Sequence, residues 1–94
     1  MPAHAAAVLR VVTRHAWQVT YCYNVGLKGD PELEGRLTVG FTVGRWRARD
    51  VHIVEDTLGD PGVAACVIER VEAWYFPPFV KGDVIFPFVL ATPP

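Results

Sequence analysis

Thiols and imidazoles have the widest chemical range in this chain: Cys22 and Cys66, with His4, His15 and His52. A nucleophilic thiol needs a base within hydrogen-bond reach and an exposed, electropositive setting. His15 precedes Cys22 by seven residues, so on one helix the two would meet only through an intervening side chain. A zinc site would have to draw on three scattered histidines and two cysteines, and these match no ligand spacing. Neither a nucleophile elbow nor a Gly-rich phosphate loop occurs. Glu32 and Glu34 flank a turn, while Glu69 and Glu72 are placed to solvate a helix face. No catalytic residue, metal, cofactor or small-molecule substrate is assigned, and an enzyme stands far behind the binding readings. At this point the cysteines keep three roles: reduced core thiols, a disulfide, or half of a metal site.

Such residues need a scaffold, and the chain is sized for one. Its 94 residues, 51% of them hydrophobic, form a single domain spanning 1–94 with enough apolar side chain for one core. Nine Lys and Arg stand against ten Asp and Glu, with no run of like charge, which argues against a nucleic-acid partner. The longest apolar run, Val84 to Ala91, falls far short of the roughly 20 residues of a membrane span. Met1-Pro2-Ala3 lacks the charged region and apolar core of a secretory signal, so any export signal is expected upstream, and the chain reads as a domain excised from a longer protein.

From Ala5 to Lys28, the residues Val8, Val12, Val19, Cys22, Tyr23 and Leu27 recur at helical spacing, with His15 and Ala16 filling the gap. One amphipathic helix is expected, stopped by Gly29 and Pro31 and weakened near its end by Gly26. Arg36 to Val43 alternates as a strand, Gly44 to Arg47 reads as a turn, and Arg49 to Glu55 completes a hairpin with Val51 and Ile53 on one face. Val54 breaks that alternation. Asp60-Pro61 marks a second helix, because the carboxylate can accept orphan N–H groups and Pro suits the first helical position. Its stripe is Val63, Cys66, Val67, Val71 and Trp74, and Pro77-Pro78 limits it. After the turn Lys81-Gly82-Asp83, Val84 to Leu90 forms the last strand.

The predicted class is therefore α+β: α-β-β-α-β, with two helices on one face of a three-stranded antiparallel or mixed sheet. Handedness of the crossover places the last strand beside the first, in the order 2-1-3. Pro87 fits that edge position, since proline inside a sheet is largely confined to edges.

Several stretches, taken together, carry a resemblance. They are Cys22-Tyr23 ahead of Leu27, Asp30-Pro31-Glu32-Leu33-Glu34-Gly35-Arg36 leading into Val39-Gly40-Phe41-Thr42-Val43, Asp56-Thr57-Leu58-Gly59-Asp60-Pro61, Val63-Ala64-Ala65-Cys66-Val67, Trp74-Tyr75-Phe76-Pro77-Pro78 and Phe86-Pro87-Phe88-Val89. In order and spacing they resemble the TonB-like C-terminal domains of AgmX/PglI type, found in envelope-spanning gliding-motility proteins of myxobacteria. The likeness covers most of the chain. Gly44-Arg45-Trp46-Arg47 replaces the common Pro-Asp-Gly turn, and the Tyr-Pro that begins classical TonB domains has no counterpart. The resemblance implies a domain at the end of an inner-membrane-anchored protein, reaching through the periplasm to an outer-membrane or other envelope protein and transmitting force from a proton-driven motor.

An oxidising periplasm would let Cys22 and Cys66, both on core faces of helices, join as a disulfide. The unusually apolar last strand suggests partner binding by strand addition to an exposed edge, through Val84, Ile85, Phe86, Phe88, Val89 and Leu90. Both parities of this strand are hydrophobic, more than helices on one face would cover. Trp46, between Arg45 and Arg47, is a second candidate contact. The alternative is a homodimerisation or structural module of an envelope complex.

Overall fold

The computed structural model describes residues 4–92. Its elements are α1 (Ala5–Arg14), α2 (Ala16–Gly29), β1 (Gly35–Gly44), β2 (Arg47–Asp56), α3 (Pro61–Glu72) and β3 (Gly82–Leu90). The three strands form one sheet in the order β2-β1-β3, antiparallel throughout. This is the expected α+β class and strand order. The helices lie on one face, and the core between the layers is built from Val12, Val19, Leu37, Val39, Val67 and Val71 among others.

One expectation is corrected. The stretch Ala5 to Lys28 is two helices, interrupted at His15, whose φ of −106° and ψ of 8° leave the helical region. The imidazole Nδ1 lies 2.8 Å from the Val11 carbonyl oxygen, and the ring stacks on Trp74 with centroids 5.2 Å apart. Side-chain bonding to the preceding turn competes with helix continuation, and the stacked indole holds the residue in place.

The hairpin turn is tighter than expected. Only Arg45 and Trp46 lie between the strands, at φ of 51° and 54°. A two-residue loop with both φ values positive matches strand twist, although Gly or Asn usually fills it. The tip is secured from outside: Phe76 donates its N–H to the Trp46 carbonyl at 2.9 Å, and Arg47 pairs with Tyr75 in an isolated bridge. Val54 is the extra residue of a bulge, since Thr38 faces Glu55 while Val39 faces Ile53.

Asp60 caps α3 as its sequence position predicts, accepting from the N–H groups of Gly62 at 2.9 Å and Val63 at 3.2 Å, with Pro61 opening the helix. Asp60→Ala should lower stability by about 1 kcal/mol, read from urea unfolding midpoints. Gly26 has a role beyond weakening α2: a Cβ there would meet Val63 Cγ2 at 2.5 Å and Leu33 Cδ2 at 2.9 Å. Its bare backbone allows α2 to approach α3 closely.

Candidate functional site

Strand β1 occupies the middle of the sheet, so its backbone alternates between two neighbours, and that alternation decides what β3 offers. Arg36 donates its N–H to Thr57 Oγ1 at 2.7 Å, and its carbonyl accepts from the Thr57 N–H at 2.9 Å. Arg36 therefore points toward the β2 side. Leu37, Val39 and Phe41 then point toward β3, opposite Phe88, Phe86 and Val84. Ile85, Pro87 and Val89 stand opposite Gly40, Thr38 and Arg36, with their backbone groups directed away from β1. Proline at position 87 thus takes nothing from the internal ladder. It removes one donor from the outer edge, leaving the N–H and C=O groups of Ile85 and Val89 and the Pro87 carbonyl facing outward.

Side chains divide along the other axis. Phe88 and Leu90 are buried in the core, and Val84 and Phe86 are half-buried against it, the two phenyl rings 5.1 Å apart. Ile85 and Val89 are 67% and 72% exposed on the face that no helix covers. Of the six residues singled out on this strand, Ile85 and Val89 combine an open side chain with an outward backbone, while Phe88 and Leu90 anchor the strand to the core. Val54, half-exposed on β2, adds an apolar group; it lies with His52 close over Gly40.

A groove of about 500 Å³ runs between β3 and α1, lined by Ala5, Ala6 and Leu9 on one side and Val84, Ile85 and Phe86 on the other. The contribution of α1 was not visible in the helical stripe, because Leu9 lies off it. The signal that could have found it is a large apolar residue placed between the buried Val8 and the exposed Arg10.

The remaining candidates lie elsewhere. Trp46, at the hairpin tip, is 52% exposed, with the Arg47 guanidinium 5.5 Å from the Tyr75 ring beside it. The sulfurs of Cys22 and Cys66 lie at bonding distance, their Cα atoms 5.7 Å apart, linking α2 to α3. His15 stacks on Trp74, His52 Nδ1 lies 2.6 Å from the Asp50 carbonyl oxygen, and the His4 ring centroid is 5.4 Å from that of Phe79. The three imidazoles are therefore dispersed. Among the described residues no group of three or more His, Cys, Asp or Glu side chains converges, and no helix is long and apolar enough to cross a membrane.

No protein-family model, curated protein or solved structure matches the chain.

Proposed function

We propose that this chain is a periplasmic adaptor domain that receives an extended segment of an outer-membrane or other envelope protein along the free edge of β3, coupling that partner to an energised inner-membrane complex in gliding motility or TonB-like energy transduction. The observation carrying the binding mode is the edge itself: among the described residues β3 is hydrogen-bonded on one side only, and Ile85 and Val89 turn both backbone groups outward. An incoming strand would complete those bonds, and its side chains on the helix side would enter the groove beside α1. The compartment and the motility role rest on the sequence resemblance, and a cysteine pair at bonding distance suits an oxidising compartment.

Pro87 shapes the specificity of this edge. A partner strand finds donors at Ile85 and Val89 separated by a position that only accepts, so its own donor must face the Pro87 carbonyl. The same gap discourages indiscriminate strand pairing.

Amide exchange and chemical shifts in an isotope-labelled domain test the reading. In the free domain the amides of Phe86 and Phe88 should exchange slowly and those of Ile85 and Val89 quickly. Peptides from periplasm-exposed segments of outer-membrane proteins should shift and protect Ile85 and Val89. Shifts confined to the helices would exclude edge pairing, and protection of Ile85 and Val89 that rises with protein concentration alone would assign the edge to a second copy.

A further inference from the structure

Charge is unevenly divided along the chain. Residues 1–29 contain Arg10, Arg14 and Lys28 and no acidic residue, while all ten acids follow from Asp30 onward. The two helices of this segment each bury one side in the common core, α1 through Val8, Val11 and Val12 and α2 through Val19, Cys22 and Tyr23. Their other sides therefore look away from the sheet. Those outward sides carry the three cations and three exposed apolar residues of α2: Trp17, Tyr21 and Val25. Trp17 is 64% and Tyr21 53% exposed, and Trp17, Tyr21 and Val25 follow one another at four-residue spacing along α2. Arg70 of α3 adds its guanidinium, 5.5 Å from the centre of the Tyr21 ring.

We propose that this outer face of α1 and α2 rests on an anionic lipid surface. Helices bind in the plane of a membrane interface when cations flank aromatic and aliphatic side chains that can enter the headgroup boundary. Trp and Tyr favour that depth, since each ring has an apolar body and a polar edge, and arginine and lysine can extend their charge outward from buried stems. Neither helix of the face carries an acid: Glu69 and Glu72 stand on the neighbouring α3, and Asp30 and Glu32 follow the end of α2, where the Asp30 carboxylate accepts the Glu32 N–H. Charge complementarity selects an anionic surface, because three cations with no anion among them gain nothing from neutral lipid.

This contact uses other residues than the outward backbone of β3, while α1 also borders the groove beside that edge. The helices and the open sheet face lie on opposite sides of a two-layer fold, so a domain resting on α1 and α2 presents Ile85 and Val89 to the aqueous side.

Flotation of the whole chain with vesicles decides the matter, comparing phosphatidylcholine alone with phosphatidylcholine containing phosphatidylglycerol. Binding should require the anionic lipid and weaken as salt is raised. Each lost cation should cost about fivefold in partitioning, so Arg10→Ser with Arg14→Ser should cost roughly 25-fold. Trp17→Ser should also weaken binding, whereas Arg49→Ser, which removes the same charge from β2, should leave it unchanged. All four positions are exposed, so the variants should fold. Equal flotation with neutral vesicles, no flotation with either, or an Arg49→Ser loss matching that of Arg10→Ser would overturn the proposal. Capture of polyglutamate without vesicle binding would overturn it in favour of an acidic protein partner.

Discussion

A Cys22→Ala/Cys66→Ala variant should lose about 4 kcal/mol of stability, because a bond between positions 44 residues apart closes a long loop in the unfolded chain. Domains of this size hold about 5–15 kcal/mol in total, so the loss would remove a large part of it. The melting temperature should fall by roughly 20 °C, and wild-type protein unfolded in the presence of reductant should follow the variant. Thermal and urea unfolding measure this. Mass spectrometry supplies the covalent check: alkylation of the denatured, unreduced protein should add nothing. Two added alkyl groups, or a melting temperature unmoved by reductant, would show that the thiols act only as small buried hydrophobes.

The second large effect is expected at Trp74. This side chain is fully buried beyond the end of α3, its indole N–H donates to Gln18 Oε1 at 2.7 Å, and His15 stacks on its ring. Trp74→Ala should cost about 3–5 kcal/mol through lost burial and the cavity left behind. Trp74→Phe keeps much of the volume but leaves the Gln18 carbonyl without its donor, at about 1–3 kcal/mol. The same residue holds the break between α1 and α2, so helix content by circular dichroism and amide exchange around His15 should change in Trp74→Ala more than in Trp74→Phe. A loss below 1 kcal/mol for Trp74→Ala would mean that the indole packs far more loosely than its burial indicates.

Local signals in the sequence translated well wherever the physics was local. Asp60-Pro61 reads as a helix start because a carboxylate and a proline each satisfy something at that single position. The alternation from Arg36 to Val43 reads as a strand because its period depends only on side-chain direction. Even the order β2-β1-β3 follows from connection rules together with Pro87, and the apolar excess of β3 is the exposed pair Ile85 and Val89.

Features that depend on distant partners were not legible. The helix break needs Trp74, 59 residues beyond His15, and no periodicity within Ala5 to Lys28 announces it. Gly26 looks like a weak point until Val63 of α3 is set against it. Arg45-Trp46 lacks the Gly or Asn that marks a tight hairpin, and the hydrogen bond from Phe76 that holds it comes from the far side of α3. On α2, Trp17, Tyr21 and Val25 pass as ordinary apolar content because helical spacing does not say which of two apolar faces meets the core.

The covalent tie between α2 and α3 also changes how the chain would respond to being pulled by its ends. Tension entering through α1 would cross from position 22 to position 66 through sulfur, so the β1–β2 hairpin would lie on a closed branch that carries no load. Those 44 residues correspond to about 150 Å of extended chain that could not be paid out until the link is reduced. A tether built this way lengthens only through the segments outside the loop until the link is reduced, and its remaining extensibility is governed by thiol chemistry.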